Sequence, residues 1–200
     1  SLGHALSADV FAATITGIRP IWGTLLLLGG TSALLFLASR IADRAAPRSM
    51  TAESLSVAGV FAALIGAFLL LRWFTTGDGG GVLDAFTQSS LSALSLAVAG
   101  QITLARAGEE SGFIAKWRGH FLLGAGLLMT LFVAGLSLNP WWGASSAIIA
   151  GPALFNSLLI AYLAPAALAL YAARRLYDRQ LWSARVFASA GGVLLLMWTV

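Results

Sequence analysis

Long apolar stretches alternate with short polar turns along the chain, and this pattern predicts membrane-spanning helices. A helix needs about 20 mainly apolar residues to cross roughly 30 Å of hydrocarbon, where it satisfies its own backbone hydrogen bonds. Six stretches have this character, near residues 20–39, 55–71, 86–105, 119–138, 152–173 and 184–200. The alternating segments of a membrane β-barrel do not occur in the pattern. The predicted fold is an all-α, polytopic transmembrane helix bundle.

Residues 1–18 form a separate segment with a different pattern. The positions that would share one helix face are Val10, Phe11, Thr14, Ile15 and Ile18. Such a helix either lies in the plane of the membrane interface or is the end of an earlier span, and the pattern leaves both interpretations open. Because the chain begins with Ser1 and ends at Val200 within an apolar stretch, we expect it to be a piece of a longer protein.

Composition supports the membrane interpretation. Hydrophobic residues make up 58% of the 200 residues and charged residues 10%, whereas soluble domains have roughly 45–50% and 25%. So few charges cannot cover the surface of a soluble domain of this length. With no cysteine in the chain, these values exclude a disordered chain, a disulfide scaffold and an ordinary cytosolic enzyme.

The basic residues are concentrated in every second turn. Ten of the 12 lie near residues 40–53, 106–118 and 174–185, and only Arg19 and Arg72 lie on the opposite side. Short loops rich in Lys and Arg stay in the cytoplasm, so we expect these three turns inside and the N-terminal segment outside. This explains the pI of about 10.3 without a nucleic-acid partner. The expected partners are the lipid bilayer and either other membrane subunits or further helices of the same protein.

Two stripes of small residues indicate where helices approach each other. Lipid provides little hydrophobic drive for helix association, so small side chains mark close packing. One stripe is Ala58, Ala62 and Gly66, and the other is Ser89, Ala93 and Ala97 with Gln101 as an extension. The alternative is that these residues reflect only the high alanine and glycine content of the chain.

A cluster of aromatic and polar residues on the predicted outer side is the candidate binding site. Its members are Arg72, Trp73, Asn139, Trp141, Trp142, Asn156 and Tyr162. Arg72 would bind a phosphate or carboxylate, and the indoles would offer an apolar or sugar-stacking surface. The alternative is an aromatic belt at the membrane interface with a snorkelling arginine. A buried amide needs partners, so Asn156 would tie helices together or cap one of them.

Pro165 lies within the fifth predicted span and cannot donate a hydrogen bond to the carbonyl of Ala161. We expect a kink there, which would open a cavity or shape the helix packing. No catalytic residue, cofactor or metal site is predicted, because the acidic residues all fall in loops or at the flanks of the predicted spans and His4 and His120 do not have metal-ligand spacing.

The residues around this proline resemble a known family. Asn139-Pro140-Trp141-Trp142, Gly151-Pro152 and the segment 156–166 are similar to the large bacterial membrane family filed as domain of unknown function 2339. The resemblance covers residues 55–200 and is sharpest at 139–166. It implies a bacterial inner-membrane location and a longer parent protein with more spans. It supplies neither a substrate nor a catalytic residue.

Two functions fit these observations. The first is a non-enzymatic scaffold or partner-binding subunit of a membrane or envelope complex. The second is a transporter or transferase that acts on an envelope lipid or glycan through the outer aromatic cluster around Arg72. They differ in whether the outer polar groups bind a ligand or only hold helices together.

Overall fold

The computed structural model describes residues 21–47, 49–76, 84–106, 113–142, 149 and 156–199. The predicted interfacial segment 1–18 lies outside these residues. Six α-helices are described: α1 (Ile21–Ala45), α2 (Met50–Thr76), α3 (Ala85–Arg106), α4 (Phe113–Met129), α5 (Ala164–Leu176) and α6 (Leu181–Thr199). The described residues also contain two π-helical segments, π1 (Thr130–Ser137) and π2 (Leu159–Leu163), and a 3-10 turn (Pro140–Trp142).

The all-α prediction is confirmed, since the described residues contain helices and no strand. Five of these helical stretches are long and apolar enough to cross a membrane: Leu25–Ala45, Met50–Phe74, Trp117–Ser137, Leu159–Leu176 and Leu181–Thr199. They overlap the first, second, fourth, fifth and sixth predicted spans.

The third predicted span forms α3, which has 22 residues but is more polar than the other five. Several of its hydroxyl groups bond to the backbone of the same helix, as in Ser90 Oγ to Phe86 O at 2.7 Å and Thr103 Oγ1 to Gly100 O at 2.9 Å. Such bonds lower the cost of burying a hydroxyl. The buried hydroxyl of Thr87 and the buried amide of Gln101 differ, because neither has a hydrogen-bond partner in the part of the chain that the structure describes.

The chain divides into two compact units. Unit one comprises Ser1–Leu83 and Gly108–Trp117, and unit two comprises Asp84–Ala107 and Arg118–Val200. Unit one therefore contains α1 and α2. Unit two contains α3, most of α4, both π-helical segments, α5 and α6.

In unit one, α1 and α2 pack against each other in opposite directions. Ser32 Oγ donates to Gly59 O at 2.8 Å, and Ser39 Oγ donates to Ala52 O at 2.7 Å. The second bond lies nearer the connecting turn, which fixes the antiparallel order. Ser49 caps α2, because its Oγ accepts a hydrogen bond from the backbone N–H of Ala52 at 3.2 Å.

The small-residue stripe predicted on α2 is partly displaced. Ala62 and Gly66 are buried as expected, but Ala58 is exposed and Gly59 takes its place. A Cβ at Gly59 would lie 3.3 Å from the ring of Phe36. The residues of α2 that face α1 are therefore spaced by three and then four positions, which matches the helix period of 3.6. The predicted stripe had a uniform spacing of four positions.

In unit two, α3 packs against α4 with almost no space between the backbones. Ala93 and Ala97 of the second predicted stripe are fully buried. A Cβ added at Gly126 would lie 2.7 Å from Ala93 O and from Ala97 N. The prediction that Ala93 and Ala97 mark a helix contact is thus confirmed, and the glycine on α4 makes the close approach possible.

The core of unit two is built around α5 and the two π-helical segments. One face of α5 consists of buried alanines, namely Ala166, Ala169, Ala172 and Ala173. The largest fully buried side chains are Tyr162 and Phe86, whose ring centroids lie 6.2 Å apart. Leu194 of α6 is also fully buried. Small side chains on α5 let its neighbours approach, and the aromatic pair fills the space beyond them.

Gly126→Ala tests the close approach of α3 and α4. The added methyl group meets backbone atoms, which cannot rotate away, so we expect a loss of about 1–3 kcal/mol in the free energy of unfolding. Gly124→Ala is the matched control, because a Cβ there meets nothing within 4 Å. It should be neutral, or stabilising by up to about 1 kcal/mol through helix propensity. Thermal unfolding in detergent micelles, followed by circular dichroism, compares the two; equal midpoints would contradict this packing.

Candidate functional site

The seven residues of the predicted outer cluster are divided between the two units. Arg72 and Trp73 lie near the end of α2 in unit one, where Arg72 is exposed and Trp73 packs beside Leu28 and Leu69. The other five belong to unit two. Because the predicted pocket requires both units, it stays a prediction.

Asn139 terminates the π1 segment. Its Nδ2 donates to Gly135 O at 3.0 Å, and its Oδ1 accepts a hydrogen bond from the backbone N–H of Trp141 at 3.0 Å. The side chain is buried. Trp141 is half-exposed in the 3-10 turn that follows, and the side chain of Trp142 lies outside the described part of the structure. The Asn139 amide thus fixes the chain where the helix ends.

Tyr162 lies in π2 and connects the two π-helical segments. Its side chain has no exposed surface, and its hydroxyl donates to Ala134 O of π1 at 2.9 Å. In each segment a backbone N–H bonds to the carbonyl five residues earlier, as Leu138 does to Val133 at 2.8 Å. π-Helical turns are uncommon and are found often at functional sites. Here the Ala134 carbonyl of π1 lies within hydrogen-bond distance of the buried Tyr162 hydroxyl of π2.

Asn156 and Pro165 mark the two ends of the π2 region. Asn156 Oδ1 accepts a hydrogen bond from the backbone N–H of Leu159 at 3.3 Å, which is one of the two roles expected for this residue. Pro165 is buried in the first turn of α5, directly after π2 ends. The missing N–H of the proline therefore falls at the junction between π-helical and α-helical hydrogen bonding. The kink expected at Pro165 stays a prediction.

A second candidate site was not predicted from the sequence. A cavity of about 540 Å³ lies between α5 and α6, where these helices meet their connecting turn. We call it the α5–α6 groove. Its polar lining is Arg174, Tyr177, Asp178 and Arg185, and its apolar lining is Leu170, Ala173, Ala184 and Ala188. All of these residues belong to unit two.

The charges of the α5–α6 groove are exposed and do not neutralise one another. In the described part of the chain, Arg174 and Arg185 form no hydrogen bond or ion pair, and neither does Asp178. Arg174 lies in the last turn of α5, and Arg185 lies early in α6. The groove thus presents guanidinium groups from two helices above an alanine floor, which is an arrangement suited to an anionic group.

The sequence contains a partial signal for this groove. As a group, the four arginines between 174 and 185 indicate the orientation of the chain in the membrane. Arg174 lies in the last turn of α5, whereas Asp178 lies in the turn after this helix ends at Leu176, so helix spacing alone does not place the two residues together. Which face meets α6 depends on the packing of α5, and the sequence pattern does not specify it.

Together these observations define the class of the protein: a multi-pass membrane protein with an all-α fold. In unit two, Asn139, Asn156 and Tyr162 terminate or connect helical segments, whereas hydroxyls such as those of Ser90 and Thr103 bond to their own helix. No family model, curated protein or solved structure matches the chain. In the described residues, no group of three or more His, Asp or Glu side chains could hold a metal ion.

Tyr162→Phe tests the connection between the π-helical segments. Removing the hydroxyl removes a buried hydrogen bond to Ala134 O, so we expect a loss of about 1 kcal/mol in the free energy of unfolding. Tyr171→Phe is the control, since Tyr171 is half-exposed on α5. Thermal unfolding in detergent should show a lower midpoint for Tyr162→Phe alone. The assignment fails if both variants, or neither, unfold at a lower temperature.

Proposed function

We propose that the chain is a structural, partner-binding subunit of a membrane complex, with α1 as the helix that contacts the partner. The observation that carries this proposal is a face of α1 that no residue in the described part of the chain covers, which we call the unoccupied face. This helix is a candidate span, yet only 17% of its most apolar stretch is buried. Its opposite face packs against α2 in unit one.

The unoccupied face of α1 combines small and large apolar residues. Gly23, Gly30 and Ala33 lie along it, with Leu26 and Leu37 beside them, and all five are exposed. A Cβ added at Gly23 or Gly30 would meet nothing within 4 Å. By contrast, Gly59 and Gly66 of α2 pack directly against α1.

Small residues flanked by leucines favour binding of another transmembrane helix. Because lipid tails are as apolar as leucine, association in the membrane depends on close backbone approach and on van der Waals contact. The spacing of Gly23, Gly30 and Ala33 places these residues on one side of the helix. This side offers a shallow groove into which a partner helix can pack.

The proposed location is a bacterial inner membrane, with the arginine-rich turns in the cytoplasm. The distribution of ten basic residues against two supports the orientation. The resemblance of residues 139–166 to the family named above supports the bacterial origin.

The alternative function, transport or transfer of an envelope lipid or glycan, would use the outer cluster. Its polar groups in unit two already serve the backbone: Asn139 bonds at both ends of its amide, and the Tyr162 hydroxyl proton is donated to Ala134. These bonds favour the structural interpretation of the cluster.

The test is to fill the α1 face without disturbing the α1–α2 contact. Gly30→Leu combined with Ala33→Leu should shift the protein from a larger assembly to a smaller one, because the partner helix can no longer approach. Sedimentation of native membranes solubilised in a mild detergent measures the shift. Ala63→Leu, at an exposed alanine of α2, is the matched control and should leave the assembly intact.

Three results would contradict this proposal. The double variant could sediment like the unchanged protein, or Ala63→Leu could dissociate the assembly equally well. In the third, the double variant would lower the thermal stability of the isolated chain while leaving the assembly unchanged, which would mean that the covering helix belongs to this same chain.

A further inference from the structure

We propose that the α5–α6 groove binds the phosphate of an anionic phospholipid, with the acyl chains lying along the apolar surface of α5 and α6. This inference concerns a different surface from the partner-binding face of α1 and does not depend on it. It rests on the charge, the shape and the position of the groove.

The charge of the groove matches a phosphodiester. Arg174 and Arg185 approach from different helices, and neither has a partner in the described part of the chain. A guanidinium group binds phosphate oxygens through paired N–H donors, and such charge-assisted bonds are among the strongest in proteins. Tyr177, which also lines the groove, carries a hydroxyl that can act as a further donor. One phosphate can therefore be held from two sides.

The shape of the groove leaves room for a headgroup. Its volume of about 540 Å³ lies within the range typical of small-molecule sites. Ala173 and Ala184 are buried and form a floor without protruding side chains. Further along, α5 and α6 come together, because a Cβ at Gly191 would lie 2.9 Å from Leu170 Cγ. The groove is thus open at the charged end and closed between the spans.

The position of the groove is that of a lipid headgroup. It lies where the candidate spans Leu159–Leu176 and Leu181–Thr199 adjoin their turn. Trp182 is 78% exposed in the first turn of α6, and such exposed indoles are typical of the membrane interface. Basic pockets between transmembrane helices on the cytoplasmic side bind acidic headgroups. Leu170 and Ala188 then continue the lining toward the acyl chains.

The apolar part of the lining distinguishes a lipid from a soluble phosphate. Leu170 and Ala188 contribute nothing to binding of inorganic phosphate, whereas acyl chains bury them. Asp178 lines the same cavity and repels an anion there. Removing its charge should therefore strengthen the binding of an anionic headgroup.

The experiment measures binding of phosphatidylglycerol to the purified full chain in a neutral detergent by native mass spectrometry. The unchanged protein should retain one phosphatidylglycerol in preference to phosphatidylcholine. Arg174→Gln combined with Arg185→Gln should weaken binding by about tenfold or more. Asp178→Asn should strengthen it. Arg175→Gln is the matched control, because Arg175 is exposed in the same helical turn and does not line the groove; it should leave affinity unchanged.

Three outcomes would overturn the proposal. If Arg175→Gln weakens binding as much as the double variant, the attraction belongs to the basic turn as a whole. If millimolar inorganic phosphate displaces the lipid, the groove recognises a soluble phosphate. If phosphatidylcholine binds as tightly as phosphatidylglycerol, the groove does not distinguish an anionic headgroup from a zwitterionic one. Circular dichroism of each variant verifies that the helices are retained.

Discussion

In the hydrocarbon of a membrane, every backbone polar group must find a partner within the protein, and a buried polar side chain is costly without one; these two constraints explain much of the structure. The first requires helices, and the second determines where the polar residues of those helices are placed. Ser90 and Thr103 bond to their own helix. Asn139 and Asn156 satisfy backbone groups where helical segments end or begin. Tyr162 reaches across to a neighbouring π-helical segment.

A second consequence of the apolar solvent is that helix packing depends on shape. Leucine gains little by leaving lipid for another leucine, so contacts form where backbones can approach closely. In unit one this occurs at Gly59 and Gly66, and in unit two at Gly126 and Gly191. The same reasoning applies to Gly30, because a Cβ there would meet no described atom within 4 Å. Another helix could therefore pack closely against α1 at this position.

The helical class and the approximate ends of the spans could be predicted from the sequence, because length, apolar content and arginine placement are properties of single segments. Contacts between segments were predicted less well. The α2 stripe was correct at Ala62 and Gly66 but not at Ala58, where the helix period selects Gly59. The π-helical segments, the bond from Tyr162 and the α5–α6 groove depend on how helices pack, and no local pattern specifies them. Arg174 could be recognised as interfacial, but not as part of a cavity.

The central claim is that the chain crosses the membrane repeatedly and leaves its arginine-rich turns in the cytoplasm. Because the chain contains no cysteine, single-cysteine labelling tests this without altering any other residue. Ser137→Cys and Arg175→Cys place thiols at exposed positions on opposite predicted sides. A membrane-impermeant maleimide should label Ser137→Cys in intact cells and Arg175→Cys only after permeabilisation. Labelling of Arg175→Cys from outside intact cells would contradict the account.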